Sequence, residues 1–225
     1  MSGRSIPLRI PLHAGGTVSG LLDAPADARA GYVFAHGAGA GMDHAFMAAI
    51  AAGLAERRIA TLRFQFPYME QGSRRPDPPK VAHAAVRAAV HEATQRLSGL
   101  PLFAGGKSYG GRMTTQAQAL EPLPNVRGIV LLGFPLHPAG KPSTERAEHL
   151  AAIRVPMLFL QGTRDTLASL ELIQATTAKL AGRATLHVVD GGDHSFHVLA
   201  RSGRSDAQVR DELLDAIAGW MKKAC

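Results

Sequence analysis

A single cysteine, at position 225, leaves no partner for a disulfide within the chain. Stability then rests on packing, and such usage fits a reducing compartment. Long apolar runs are missing too. No stretch is long enough to span a bilayer, and residues 1–12, with Arg4, Arg9 and two prolines, lack the continuous apolar segment of a secretory signal. The expectation is a cytoplasmic protein with no membrane partner. Internal repeats, low-complexity tracts and a dividing linker are also absent, so residues 1–225 read as one domain. The net charge of +7 favours anionic partners in a general way. Yet the basic residues are scattered, with adjacent pairs only at Arg57-Arg58, Arg74-Arg75 and Lys222-Lys223, and none is interleaved with aromatics. Specific nucleic-acid binding is therefore not expected.

What is present is a chain of 225 residues, 46% hydrophobic, enough for a sizeable core. Residues 6–13 and 17–22 alternate around Gly15-Gly16 and predict an edge hairpin. Short apolar runs at 31–35, 59–64, 100–104, 126–132, 155–160 and 184–189 predict buried strands. Between them lie segments of helical spacing: one with Phe46, Ile50 and Leu54 that Asp43 can cap, then 81–97, 112–120, 143–152 and 170–180. A last helix, capped by Ser205, carries Val209, Leu213, Ile217 and Trp220. Strands alternating with helices predict an α/β fold: a doubly wound, mostly parallel sheet covered on both faces. Residues 65–80 differ, with four prolines in a long connection, and are the best candidate for a functional loop or lid.

The stretch around which the rest is arranged is Gly106-Lys107-Ser108-Tyr109-Gly110-Gly111. G-x-S-x-G between a strand and a helix describes a nucleophile elbow. The bare pattern is weak in a chain with 24 glycines; the strand before it and the helix after it give it weight. A serine hydroxyl needs a base to take its proton and a carboxylate to orient that base. In doubly wound sheets functional groups lie beyond the carboxyl ends of strands. His36, His194 and His197 satisfy that, whereas His83, His91 and His149 fall within helices. His194, in a glycine-rich turn after the final strand, is preferred. Asp165, just past the strand at 155–160, is preferred over Asp190 and over Asp193, which adjoins His194 and is poorly placed to face it. The resulting order is Ser108, Asp165, His194.

The elbow GGKSYGGR, the early HGAGAGMDH, the segment RFQFPYME, the run GFPLHPAGKP and the ending GGDHSF together resemble the α/β-hydrolase superfamily over nearly the whole chain. They resemble its small, lid-poor branch, related to the dienelactone-hydrolase-like proteins. The resemblance implies Ser108 as nucleophile, Asp165 as acid and His194 as base, with no large cap domain. It also implies an oxyanion hole from the backbone N–H groups of Ala38 and Tyr109. Dienelactone hydrolases proper carry cysteine at the elbow, so their reaction is not carried over.

The expected activity is cleavage of a small carboxylic ester or thioester through an acyl-enzyme, with no metal or organic cofactor and a small molecule as partner. A small peptidase or amidase, and a non-catalytic binding module, are the alternatives; an intact set of Ser108, Asp165 and His194 argues against the last. Four residues carry substrate-binding expectations beside structural ones: His36 could instead anchor its loop, and Phe66, Tyr68 and Met69 could line an acyl pocket or pack under the proline-rich loop. Arg74 and Arg75 are read as solvated rather than as carboxylate ligands.

Overall fold

The computed structural model describes residues 5–224, so Cys225 and Arg4 lie outside the described residues. All eight strands join one sheet, in the order β1-β2-β4-β3-β5-β6-β7-β8. The hairpin of β1 (Ile6–Pro11) and β2 (Thr17–Asp23) is antiparallel and occupies one edge, as its alternation predicts. β2 is also antiparallel to β4 (Ile59–Phe64). From there the pairing is parallel through β3 (Ala30–Ala35), β5 (Leu102–Lys107), β6 (Val126–Leu132), β7 (Met157–Gly162) and β8 (Ala184–Val189).

Helices cover both faces, because central strands buried on two sides need two apolar layers. On one face, α1 (Ala45–Glu56) brings Met47, Ile50 and Leu54. The short α2 (Pro67–Glu70) follows β4, and α3 (Pro79–Arg96) lays an alanine-rich stripe with Val86 and Val90 on the opposite face. α4 (Tyr109–Leu120) and α5 (Leu170–Ala178) share that second face through Met113 and Ile173. α6 (Asp206–Ala224) returns to the first with Val209, Leu213, Leu214 and Ile217. Each face thus carries its own apolar cluster, with the sheet between.

Local boundaries differ from expectation for identifiable reasons. His44, not Asp43, caps α1: the helix starts at Ala45, and the His44 ring Nδ1 accepts the N–H of Phe46 at 3.2 Å. α3 starts at Pro79, earlier than its apolar spacing indicates, since proline suits a first turn that needs no N–H. The segment at 143–152 tightens to a 3₁₀ helix, Glu145–Ala152. β7 begins at Met157, just after Pro156, which has no N–H to give a ladder. Ser205 caps α6 as expected: its Oγ accepts from Gln208 N at 3.2 Å, while Gln208 Oε1 accepts from Ser205 N at 2.8 Å. Between β6 and β7 there are only loops and the 3₁₀ helix, so no cap domain overlies the carboxyl ends of the strands. Among the described residues no helix is long and apolar enough to cross a membrane.

Candidate active site

β5 turns into α4 within one residue. Ser108 takes that turn at φ 49, ψ −115, a backbone region an L-residue occupies only under strain. Two glycines make the turn sterically possible. A Cβ at Gly106 would sit 2.4 Å from the Ala35 carbonyl oxygen, and one at Gly110 would sit 2.5 Å from those of both Ala35 and His36. The elbow is therefore pressed against the end of β3, which leaves the Ser108 side chain projecting above the sheet.

His194 lies in the turn after β8, and its ring Nε2 is 2.8 Å from Ser108 Oγ. Its Nδ1 is 2.8 Å from Oδ2 of Asp165, whose side chain is wholly buried. With an ionised carboxylate on one side, Nδ1 carries the proton and Nε2 presents a lone pair to the serine hydroxyl. Asp165 follows β7 and is itself held. Oδ1 accepts the N–H of Leu167 at 2.8 Å, and Oδ2 also accepts from Gln161 Nε2 at 2.5 Å. The other end of the buried Gln161 amide accepts the N–H of Phe134 at 3.0 Å. The structure thus brings Ser108, His194 and Asp165 into one hydrogen-bonded line.

The rival residues are engaged elsewhere. Asp193 Oδ1 accepts the N–H groups of Ser195 and His197, folding the turn that carries His194. The exposed His197 ring lies 2.8 Å from Asp206, whose carboxylate raises its pKa from the ordinary histidine value.

The loop after β3 approaches the serine from the other side. Ala38 lines the cavity, and Tyr109, first residue of α4, has an N–H with no carbonyl four residues back in its helix. His36 is fully buried below this loop: Nδ1 is 2.8 Å from the Gly37 carbonyl and Nε2 accepts the N–H of Phe66 at 3.1 Å. Burial above all holds its pKa at about 4, so the ring is neutral. It is an anchor for the loop and does not reach the cavity.

Phe66, Tyr68 and Met69 also depart from the expectation of an acyl wall. Phe66 and Tyr68 are buried in the second-face core, with Met69 packed against it, and none lines the cavity. Phe66 packs edge-on against Phe64, Tyr109 and His36. The Tyr68 hydroxyl accepts the N–H of Gly39 at 3.0 Å, and Gln65 Oε1 accepts that of Met42 at 2.9 Å. The segment after β4 thus fastens the 36–41 loop from below rather than walling a pocket.

The cavity, about 450 Å³, is walled instead by the start of α1 (His44, Phe46, Met47), by Leu167 and Ser195, and by Lys107. Sequence reasoning passed over these. Phe46 reads as an ordinary core position, although it stacks on Phe196 of the His194 turn at 6.2 Å. Lys107 stands inside the elbow motif itself, which was the available signal.

A sequence model of the family described as "Alpha/beta hydrolase domain" matches residues 28–222. Solved structures with the same fold include an alpha-beta serine hydrolase homologue from Coxiella burnetii. It is 18% identical, with a TM-score of 0.77, over 96% of this chain and 99% of that one. A serine hydrolase without a lid from Xanthomonas campestris is also 18% identical, with a TM-score of 0.75, over 98% and 96%. A dienelactone hydrolase from Anabaena variabilis, again 18% identical, reaches a TM-score of 0.79 over 99% of both chains.

Proposed function

Because the chain belongs to the alpha/beta hydrolase domain family, as the match over residues 28–222 establishes, we propose that it is a serine hydrolase cleaving a small carboxylic ester or thioester. The observation that carries this reading is the continuous line from Ser108 Oγ through both ring nitrogens of His194 to Asp165, opening on a small cavity. Ser108 attacks the acyl carbonyl while His194 Nε2 takes its proton. Asp165 keeps the ring in the tautomer that can accept it and stabilises the imidazolium that forms. The N–H groups of Ala38 and Tyr109 receive the oxyanion of the tetrahedral intermediate. His194 then protonates the leaving alcohol or thiol, and the acyl group stays on Ser108. A water activated by the same histidine releases the acid and restores the serine. Every proton and charge in this sequence is handled by a group of the chain itself, and the partner is a small molecule.

A fluorophosphonate probe tests the assignment. Labelling is expected at Ser108 alone and absent in Ser108→Ala. Labelling that persists in the alanine variant, or maps to another serine, rules the reading out.

A further inference from the structure

One lysine lines the cavity, and among the described residues it forms no ion pair. Lys107 precedes the nucleophile. Its ammonium donates to the backbone carbonyl of His194 at 2.5 Å and lies 5.5 Å from the centre of the Phe196 ring. An ammonium has three N–H bonds, and only one hydrogen bond is formed here. Among the described residues no carboxylate pairs with it. Two acids favour its charge without touching it, Asp165 and Asp193. Asp165 is hydrogen-bonded to His194, Gln161 and the Leu167 N–H, and Oδ1 of Asp193 to the N–H groups of Ser195 and His197.

The remaining lining offers no anion: Gly37, Ala38, Ala40, Phe46, Met47 and Leu167 are apolar, and His44, Ser108, His194 and Ser195 are the other side chains with polar atoms. Ser108 and Lys107 grip the two ends of one residue, the ring Nε2 and the carbonyl oxygen of His194. The serine hydroxyl and the ammonium are therefore about one histidine apart, and both residues line the same small cavity.

We propose that Lys107 selects the substrate: the ester or thioester carries a carboxylate a few carbons from the scissile carbonyl, and that carboxylate pairs with the Lys107 ammonium. This rests on the serine-hydrolase reading above. The physical case is complementarity. A part-buried ammonium with no carboxylate in contact is costly to keep, and a substrate carboxylate supplies that contact through a charge-assisted hydrogen bond in a site of low polarity. Burial lowers the Lys107 pKa to about 8, so near neutral pH the ammonium is still charged, and a bound carboxylate would favour that form.

Two matched pairs of esters test it. The mono-p-nitrophenyl ester of glutarate is compared with p-nitrophenyl valerate, placing the carboxylate on the acyl side. 4-Acetoxybenzoate is compared with phenyl acetate, placing it on the leaving group. In one pair the charged ester is expected to lead by at least about tenfold in kcat/KM. That ratio should collapse towards one in Lys107→Met and be partly kept in Lys107→Arg. A wild-type ratio near one in both pairs, or a ratio that survives Lys107→Met, overturns the proposal. The second outcome would leave Lys107 as a support for the His194 turn.

Binding is read separately, by calorimetry of glutarate with Ser108→Ala and with Ser108→Ala/Lys107→Met. Binding by the first alone supports the carboxylate site even if fluorophosphonate labelling fails and the hydrolase reading falls. Normal labelling with no charge preference and no glutarate binding sinks the Lys107 site alone.

Discussion

Gln161 Nε2 and His194 Nδ1 donate to the same oxygen, Oδ2 of Asp165. Asp165 is thus oriented from behind by a buried amide that also holds the Phe134 N–H. Gln161 touches no reacting atom and acts through Asp165. Gln161→Leu is expected to lower kcat by about tenfold or more with little change in KM, since positioning of the base is lost and the substrate wall is intact. Asp165→Asn should lose roughly a thousandfold or more. A Gln161→Leu variant whose KM rises while kcat holds would place Gln161 in substrate binding instead.

The strain at Ser108 gives a stability prediction. Holding a non-glycine residue at φ 49, ψ −115 costs about 1–3 kcal/mol. Ser108→Ala keeps that strain and Ser108→Gly releases it. The glycine variant should melt higher than the alanine variant by a few degrees, on the order of 2–4 °C for each kcal/mol in a chain of this size. Equal melting temperatures would show that the turn is unstrained.

Acyl-chain preference should follow the wall that is present. Phe46→Ala and Leu167→Ala enlarge the cavity and should shift the optimum of an ester series towards longer acyl groups. Each methylene newly buried adds about 0.8 kcal/mol, roughly fourfold in kcat/KM. Met69→Ala lies outside the cavity and should leave the profile in place. Tyr68→Phe removes the acceptor for the Gly39 N–H, so it should lower kcat several-fold without moving the optimum. Movement of the optimum by Met69→Ala, with none from Phe46→Ala, would return the acyl site to the segment after β4.

Acid sensitivity follows from two neutral histidines, His36 buried and His149 half-buried. Burial lowers His36 and His149 to about 4, with Arg112 and His83 adding to the effect on His149. As pH falls from about 6.5 towards 4, the unfolded chain takes up protons on these rings before the folded one does. Stability from both is therefore intact above 6.5 and lost across that window. The melting temperature should drop through it, and His149→Gln should drop less steeply than the parent. Parallel curves for the two proteins would remove His149 from the account.

Much of the site was legible because chemistry and topology coincide in the sequence. Ser108, Asp165 and His194 each lie directly after an apolar run, in a turn rich in small residues, and the parallel sheet brings those strand ends to one edge. The cavity wall was harder to read. It depends on where α1 starts after the 36–41 loop, and no periodicity encodes that. Phe66 could have been read correctly: it is two residues past Phe64 on extended backbone, so both rings face the same side of the sheet, and that side is core. Lys107 was passed over because x in G-x-S-x-G reads as a free position.

His194 is carried by the turn that follows the last strand of the sheet. Among the described residues β8 pairs only with β7 and is half-buried along most of its length, whereas β5, beneath Ser108, is buried almost throughout. Edge elements with little burial open at lower free energy than the centre. On warming, the turn bearing His194 should therefore detach while Ser108 still sits in a folded sheet. Heat inactivation would then precede the loss of helical signal, and amide exchange along residues 184–189 would outpace that along 102–107.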